Sequence, residues 1–261
     1  MQLRGTHVVV TGASRGIGEA IADELARRGA VLTVVARTAA ALAPIAGRTG
    51  ATVVPADLGT ASGRDGLIAR IEQAAGRPVE VLVNNAGIEV TKPLVDHSEN
   101  DLTAIVEVNL HAPMELTRQV LPGMLARGAG HVVNVSSMAS AGGFPGMSSY
   151  CATKAGLSQF TRVLRQDLKG TKVALTGVEI GPIPTDMLAG VDAYPPVKAA
   201  FDRFERLQLM PQVPREVVAR ETADAIERNR RYVWLPKRAG LFPLLTSLPQ
   251  RIVDPLIRDL R

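Results

Sequence analysis

Cysteine is nearly absent from this chain of 261 residues, and aromatic residues are scarce. The single cysteine, Cys151, excludes an intramolecular disulfide, which fits a reducing compartment. The four histidines are scattered and form no cluster with cysteine at metal-ligand spacing, so the sequence predicts no metal site. Aromatic residues make up 3% of the chain and hydrophobic residues 46%. The core must therefore consist mainly of Val, Leu, Ile and Ala, as in buried parallel strands covered by helices.

Long apolar runs are also missing. No stretch of about 18 uninterrupted apolar residues occurs, so we expect no membrane-spanning helix. The first residues lack the regions of a secretion signal, so we expect a cytoplasmic protein. The net charge of +5 arises in residues 228–261, where eight Lys or Arg accompany two Asp and give +6. These basic residues accompany no recognition motif, so we expect no nucleic-acid partner.

Short apolar runs alternate with longer segments of helical periodicity. The runs predicted as strands are residues 8–10, 31–36, 52–55, 79–83, 130–135, 172–179 and 232–235. The predicted helices are residues 16–28, 38–47, 63–75, 99–127, 149–168 and 215–228. This alternation indicates parallel strands joined by crossover helices. We predict an α/β fold with one doubly wound parallel sheet, in a single domain over residues 1–236.

Two regions interrupt the alternation. Residues 186–214 follow the sixth predicted strand and contain short apolar helices around residues 199–210. Because ligands bind at the carboxyl ends of strands, we predict that this region is a substrate lid. Residues 237–261 form a basic and apolar C-terminal arm, in which prolines would divide an apolar stripe into short helices. Two interpretations of the arm stay open. It contacts an anionic membrane surface as a peripheral protein, or it covers a neighbouring subunit or its own substrate cleft.

A glycine-rich turn follows the first predicted strand, with the sequence Thr11-Gly12-Ala13-Ser14-Arg15-Gly16-Ile17-Gly18. A phosphate group approaches backbone N–H groups at a helix N-terminus most closely where no β-carbon obstructs it, so this turn predicts a nucleotide cofactor. The spacing Gly-x-x-x-Gly-x-Gly differs from the commoner Gly-x-Gly-x-x-Gly motif. Any tight turn from strand to helix can also require glycines.

The second predicted strand ends in Ala36-Arg37-Thr38, without an acidic residue. A carboxylate there would bond a ribose 2′-hydroxyl and repel a 2′-phosphate. Arg37 and Arg15 would instead hold a phosphate between them, so we predict that NADP(H) is preferred over NAD(H). The alternative is that both arginines only solvate exposed loops. Further candidates for cofactor contact follow the third and fourth strands: Asp57, Leu58, Asn85, Ala86 and Gly87.

Four residues form a candidate catalytic group. Tyr150 and Lys154 are four residues apart at the start of a predicted helix and share one face. A nearby ammonium would stabilise a phenolate and lower the pKa of the tyrosine toward neutral pH. Ser137, at the end of the fifth strand, would donate a hydrogen bond to a substrate oxygen, and Asn109 would hold a water behind the lysine. A Tyr-x-x-x-Lys pair alone is weak evidence, because such pairs commonly form a solvated helix face.

Together these residues resemble the short-chain dehydrogenase/reductase family in its compact subtype, over residues 3–235. The resemblance rests on the glycine turn, on Asn84-Asn85-Ala86-Gly87 and on the four candidate catalytic residues. It implies a Rossmann-type sheet of about seven strands in the order 3-2-1-4-5-6-7, and a homo-oligomer, either dimer or tetramer. It also implies that Tyr150 exchanges a proton with the substrate oxygen and that Lys154 binds the nicotinamide ribose.

One segment departs from the family pattern. The family usually has Pro-Gly before a threonine, whereas this chain has Ile180-Gly181-Pro182-Ile183-Pro184-Thr185. Ile183 and Thr185 still stand where the resemblance implies contacts to the nicotinamide carboxamide. The departure therefore concerns the entrance to the lid more than the catalytic group.

The sequence predicts an NADP(H)-dependent oxidoreductase that interconverts a secondary alcohol and a ketone or aldehyde. Apolar residues of the lid favour an apolar small-molecule substrate such as a lipid or steroid. These residues are Met187, Leu188, Phe201, Phe204, Leu207 and Met210. Two alternatives stay open: a cofactor-binding regulatory or scaffold protein without turnover, and an epimerase or dehydratase of the same family.

Overall fold

Seven parallel strands form one sheet in the computed structural model, which describes residues 1–208 and 210–237 without the side chain of Asp192. The strands are β1 (His7–Thr11), β2 (Val31–Ala36), β3 (Thr52–Pro55), β4 (Val81–Asn84), β5 (Gly130–Ser137), β6 (Val173–Ile180) and β7 (Tyr232–Leu235). Their order in the sheet is β3-β2-β1-β4-β5-β6-β7. The predicted doubly wound, Rossmann-type sheet and its strand order are confirmed.

Helices cover both faces of this sheet. They are α1 (Gly16–Arg27), α2 (Ala39–Thr49), α3 (Ala61–Arg64), α4 (Leu67–Ala75), α5 (Glu99–Val106), α6 (Ala112–Arg127), α7 (Ser148–Asp167), α8 (Asp186–Asp192), α9 (Pro195–Arg206) and α10 (Arg215–Glu227). A π-helical segment, Glu107–His111, joins α5 to α6. The chain thus alternates strand and helix from β1 to β7, and the carboxyl ends of the strands meet at one edge.

The strands are buried on both faces, and β1 shows how. Successive side chains of a strand point to opposite faces. Val8 and Val10 pack in a core cluster that includes Ile21 of α1 and Ile226 of α10. Val9 packs in a second cluster with residues of α4 and α6. The short Val-rich run therefore serves two cores, and this explains why the strands are apolar throughout instead of alternating with polar residues.

One predicted helix is broken in the structure, and another contains a π-helical segment. Residues 63–75 do not form one helix: α3 ends at Arg64 and α4 begins at Leu67, because Gly66 between them has a left-handed backbone with φ of 56°. Residues 99–127 are helical throughout, but the segment Glu107–His111 is a π-helix. The lid contains two helices, α8 and α9, that begin earlier than the predicted pieces around residues 199–210.

Most of the C-terminal arm, residues 238–261, lies outside the described residues, as do its apolar stripe and its prolines. Before it, Arg230 and Lys237 both pair with Glu221, at 2.9 and 3.1 Å. These two basic side chains are thus engaged within the domain. Across residues 1–208 and 210–237, no helix has the length and apolar character needed to cross a bilayer.

Candidate active site

The glycine turn between β1 and α1 is closely packed. Gly12 and Gly16 have φ angles of 66° and 61°, which favour glycine. A Cβ atom on Gly12 would lie 2.8 Å from Cα of Ala86, and one on Gly18 would lie 2.3 Å from the carbonyl oxygen of Gly12. Neither position has room for a side chain. The packing of the turn itself therefore requires these glycines, and the approach of a phosphate to the turn stays a prediction.

A hydrogen-bond network holds this turn against the end of β4. Thr11 Oγ1 accepts from the backbone N–H groups of Asn85 and Ala86 at 3.0 and 3.1 Å. The Asn85 Nδ2 donates to the carbonyl oxygen of Thr11 at 2.9 Å and to that of Gly12 at 3.3 Å. The Asn85 side chain thus fixes the shape of the turn. A direct contact of Asn85 with a cofactor stays a prediction.

The two arginines predicted to hold a phosphate lie at neighbouring strand ends, since β1 pairs with β2. Arg37 is exposed after β2. Arg15 Nη1 pairs with Asp186 Oδ2 of α8 at 2.9 Å, and both side chains are more than two-thirds exposed (71% and 75%). Because an exposed ion pair contributes little stability, Arg15 can exchange this partner for a ligand phosphate at small cost.

Asp57 and Leu58, the candidate cofactor residues after β3, form hydrogen bonds with nearby residues of the chain. Asp57 is exposed, and its Oδ1 accepts from the backbone N–H of Gly59 at 2.9 Å. Leu58 is buried, and its carbonyl oxygen accepts from the buried Arg64 at 2.6 Å. Ser14 is half-buried in the glycine turn. All three predicted residues therefore lie at the carboxyl edge of the sheet, where the predicted adenosine half of a cofactor would lie.

This edge fits a dinucleotide. The first N–H groups of α1 have no partner within the helix, and the helix dipole favours an anion there. Gly16 lies beside Thr185, whose Cγ2 would be 3.5 Å from a Cβ on that glycine. At Gly87, a Cβ would lie 3.4 Å from Asn109 Oδ1 and 3.6 Å from Lys154 Nζ. Thr185 thus lies beside the glycine turn, and Gly87 lies beside the candidate catalytic group.

Ser137, Tyr150 and Lys154 come together where β5 ends and α7 begins. Lys154 Nζ lies 5.7 Å from the centroid of the Tyr150 ring. It donates a hydrogen bond to the carbonyl oxygen of Val135 at 3.1 Å. Ser137 Oγ donates to the carbonyl oxygen of Ile180 at 3.3 Å and accepts from the backbone N–H of Ala139 at 3.1 Å, and the Ser137 and Tyr150 side chains line the same pocket. These three residues therefore form one cluster of a hydroxyl, a phenol and an ammonium group.

Asn109 lies in the π-helical segment and is fully buried. Its Oδ1 accepts from the backbone N–H of Ile88 at 2.8 Å, while its Nδ2 donates to the carbonyl oxygen of Ile88 at 2.9 Å and to Thr153 Oγ1 at 3.3 Å. The amide therefore links the loop after β4 to α7, one residue before Lys154. Single π-helical turns are frequent at functional sites. The predicted water contact of Asn109 stays a prediction.

The pKa of Tyr150 differs in direction from the sequence-based expectation. Burial raises it above the ordinary value of a tyrosine, since a phenolate is disfavoured there, and the negative charge of Glu89 raises it further. The nearby Ser137 hydroxyl lowers the pKa of Tyr150 in part. Burial lowers the pKa of Lys154 to about 8, while Glu179 and Glu89 raise it in part. Tyr150 is thus a protonated acid at neutral pH in the protein alone.

Two glutamates of the site were missed by sequence reasoning. Glu179 of β6 is only 2% exposed and accepts from Ser158 Oγ at 2.7 Å and from Ser140 Oγ at 3.2 Å. Burial raises its pKa. Glu89 follows Gly87 after β4, and burial raises its pKa to about 7. A signal existed for Glu179, because it is the one charged residue of β6.

A pocket opens between the candidate catalytic group and the lid. Its polar side chains are those of Glu89, Ser137, Tyr150 and Thr185. The remaining side chains of the wall are mostly apolar, and they are Ile17, Ala139, Phe144, Met147, Ile180, Pro182, Ile183, Met187, Leu188, Val191, Phe201 and Met210. Two of the predicted apolar lid residues are not in the wall. Phe204 is buried against Phe144, with ring centroids 5.8 Å apart, and Leu207 is exposed.

Comparison with protein families gives a match to the model for short chain dehydrogenase over residues 6–195. The ketoacyl reductase HetN of Nostoc sp. is 39% identical over 181 residues, which are 67% of this chain and 63% of that protein. The match therefore spans less than two thirds of the length of that relative. The 3-oxoacyl-acyl-carrier-protein reductase FabG of Pseudomonas aeruginosa is 37% identical, covering 72% of this chain and 77% of that protein. The fatty acyl-CoA reductase of Mycobacterium tuberculosis is 34% identical, covering 74% and 68%.

Solved structures agree with this match. A metagenomic short-chain oxidoreductase in complex with NADP has a TM-score of 0.66 and 32% identity, covering 70% of this chain and 85% of that one. A short chain dehydrogenase/reductase of Burkholderia phymatum in complex with NAD has a TM-score of 0.81 and 26% identity, covering 99% and 96%. The chain belongs to the short-chain dehydrogenase/reductase family, whose enzymes act on an alcohol or carbonyl group with a nicotinamide cofactor.

Proposed function

We propose that this protein is an NADP(H)-dependent oxidoreductase that interconverts a secondary alcohol and a ketone, or an aldehyde, on an apolar substrate. The observation that carries the proposal is the cluster of Ser137, Tyr150 and Lys154, in which Ser137 and Tyr150 line a mostly apolar pocket and Lys154 lies behind the tyrosine ring. A bound nicotinamide would supply or accept the hydride. The residues of the chain then have to bind the substrate oxygen and move one proton.

The proposed roles follow from the positions of the groups. Tyr150 donates its hydroxyl proton to the substrate oxygen in reduction, and takes it back in oxidation. Ser137 donates a hydrogen bond that stabilises the charge developing on that oxygen. Lys154 stabilises the phenolate left on Tyr150 and binds the nicotinamide ribose. Asn109 supports Lys154 through Thr153 and a proton relay. The raised pKa of Tyr150 favours the acid form, which suits reduction.

The preference for NADP(H) is supported by the end of β2. No carboxylate stands at the position that would bond a ribose 2′-hydroxyl, and Arg37 is exposed there. Arg15, held only by an exposed ion pair to Asp186, is a second cation for the 2′-phosphate. Related structures hold NADP in one case and NAD in another, so the preference is our proposal for this chain. The backbone of Ala86 and Gly87, with Ile183 and Thr185, would complete the nicotinamide half.

The apolar substrate is supported by the wall of the pocket and by the names of relatives. Phe144, Met147, Met187, Phe201 and Met210 face the space between the lid and the catalytic cluster. Three relatives are named as reductases of acyl compounds. We therefore propose a lipid-like substrate such as a fatty acyl ketone or aldehyde, with residues 186–214 acting as the lid.

We also propose that the protein is a homo-oligomer. Apolar side chains of α5, α6 and α7 are exposed, namely Val106, Met114, Leu125 and Val163. Exposed apolar side chains on these helices would be covered by a contact between subunits. Light scattering of the purified protein would give the mass of the particle, and a mass of one chain at micromolar concentration would contradict this part of the proposal.

A substrate panel tests the proposed function. Oxidation of NADPH would be followed with ketones and aldehydes from small polar compounds to long-chain acyl compounds, and NADH would be the matched control. We expect kcat/KM to rise with apolar chain length and to be higher with NADPH. Turnover of short polar carbonyls alone would contradict the apolar substrate. Tight NADPH binding without turnover of any member would favour the regulatory alternative.

A further inference from the structure

Glu89 lies in the substrate pocket, and its carboxyl group takes no part in the proposed reaction. It lies in the loop after β4, two residues after Gly87, and forms part of the pocket wall with Ser137 and Tyr150. Ser137 and Tyr150 are engaged by the reacting oxygen in the proposed mechanism. The carboxyl of Glu89 is therefore a third polar group, available for another part of the substrate.

The hydrogen bonds of Glu89 are incomplete. Its Oε1 accepts from Thr91 Oγ1 at 2.9 Å. Its Oε2 is buried and has no hydrogen-bond partner among residues 1–208 and 210–237. A buried polar atom without a hydrogen-bond partner is energetically unfavourable. A ligand that donates a hydrogen bond to this oxygen would remove that cost, so the pocket favours such a ligand over one that is apolar throughout.

The surroundings indicate the charge of that donor. The Lys154 ammonium is close enough to lower the pKa of Glu89, which burial raises to about 7. A second cation would be repelled by Lys154 and would lose its hydration in a mostly apolar pocket. A substrate carboxylate would be repelled by Glu89 whenever that group is ionised. A neutral hydroxyl or amide N–H meets neither obstacle.

We propose that Glu89 is a specificity-determining residue that accepts a hydrogen bond from a neutral donor, a hydroxyl or an amide N–H, on a substrate that is otherwise apolar. This inference rests on the proposed function, because it assigns a feature of the substrate that the same pocket reduces. It makes the substrate bifunctional: one oxygen meets Ser137 and Tyr150, and a second polar group meets Glu89.

The experiment compares the wild type with Glu89→Gln and Glu89→Met. The methionine has similar length without an acceptor of comparable strength, and the glutamine keeps a carbonyl acceptor. The ligands are four ketones of equal chain length: one unsubstituted, one with a hydroxyl near the carbonyl, one with an amide N–H in that place, and one with a carboxylate. Two quantities are measured for each: kcat/KM with NADPH, and the shift in unfolding temperature of the NADP⁺-loaded protein.

We expect the wild type to prefer the hydroxyl or amide ketone over the unsubstituted one by about tenfold or more. Glu89→Met should abolish this preference, while Glu89→Gln should keep most of it. The unsubstituted ketone should change by the same factor in Glu89→Met and Glu89→Gln, because both remove the carboxylate that acts on Tyr150 and Lys154, so only the loss of the acceptor separates the two variants. A preference for the hydroxyl over the amide ketone, or the reverse, identifies which donor the substrate carries.

The inference is overturned if the three proteins discriminate equally among the four ketones, or if both substitutions weaken all ketones alike. Failure of the proposed function has a different signature: the wild type reduces no ketone. In that case the unfolding temperatures still test the role of Glu89. A hydroxyl or amide ketone that raises the unfolding temperature of the wild type and not that of Glu89→Met supports this role. The absence of any such difference rejects it.

Discussion

Lys154 Nζ lies 5.7 Å from the centroid of the Tyr150 ring, with its hydrogen bond directed to the carbonyl oxygen of Val135. Both side chains are deep in the protein, and burial acts on them in opposite directions. It raises the pKa of Tyr150 and lowers the pKa of Lys154 to about 8. The pair thus depends on neighbouring charges to keep the lysine an ammonium at neutral pH.

Glu179 is the first of these charges, because it is the largest cause that raises the pKa of Lys154. Glu179→Gln should therefore lower the pKa of Lys154 further. If activity requires the ammonium, its loss at alkaline pH should move to lower pH by about one pH unit, measured as the pH profile of kcat/KM. Glu221→Gln, which removes a carboxylate paired with Arg230, is the control and should leave the profile in place. An unchanged profile for Glu179→Gln would refute this role.

The glycine turn predicts opposite effects for two glycine substitutions. Gly18→Ala would place a Cβ 2.3 Å from the carbonyl oxygen of Gly12 and from Asn85 Nδ2, so it should lower the free energy of unfolding by about 1–3 kcal/mol. Gly47→Ala, in the exposed part of α2, meets no atom within 4 Å and should raise it by about 0.5–1 kcal/mol. Urea denaturation measures both. Equal stability of the two variants would contradict the packing described for the turn.

Cofactor preference should depend on Arg37. Arg37→Glu replaces a cation by a carboxylate at the end of β2, which should weaken NADPH binding by about tenfold or more and leave NADH binding nearly unchanged. Fluorescence titration with both cofactors gives the two dissociation constants. Lys169→Glu changes the net charge equally at an exposed position before β6, at the opposite edge of the sheet, and serves as the control. Equal losses for NADPH and NADH would exclude a 2′-phosphate contact.

Glu89 should make stability depend on pH. Its pKa is about 7 in the folded protein and near 4.5 when exposed, so the folded state binds the proton more tightly. Stability is then lost as pH rises from about 4.5 through 7. Glu89→Gln removes this loss. The free energy of unfolding of the variant minus that of the wild type should therefore be about 1–3 kcal/mol larger at pH 8 than at pH 5. Thermal unfolding at both pH values measures it. Glu205→Gln, which removes an exposed carboxylate, controls for the change in charge.

The sequence predicted the sheet and the positions of Ser137, Tyr150 and Lys154 because their signals are local. An apolar run bounded by turn residues marks a strand, and placing Ser137 needs only the strand that it ends. Tyr150 and Lys154 are four residues apart on one helix. The turn at Gly66 and the π-helix around Asn109 were not predicted. The turn at Gly66 had a local signal in the glycine itself, whereas Asn109 makes its hydrogen bonds to Ile88 and Thr153 outside its own segment, which periodicity within one segment does not reveal.

The two glutamates show a second limit. A carboxylate in sequence is ordinarily an exposed group, so Glu89 and Glu179 attracted no functional interpretation. Their importance comes from burial beside Lys154, which only the fold creates. Phe204 shows the reverse error, since an apolar lid residue predicted to meet substrate packs instead against Phe144. Composition predicted that the lid is apolar. It did not distinguish the lid residues that line the pocket from those that pack within the protein.

The central claim is that Tyr150 carries the proton in an NADPH-dependent reduction, and Tyr150→Phe tests it most directly. The substitution keeps the ring and removes the hydroxyl. NADPH oxidation with the best substrate of the panel should fall by about 10²–10⁴-fold, while the dissociation constant of NADPH stays within about threefold. Turnover at the wild-type rate in Tyr150→Phe would contradict the account.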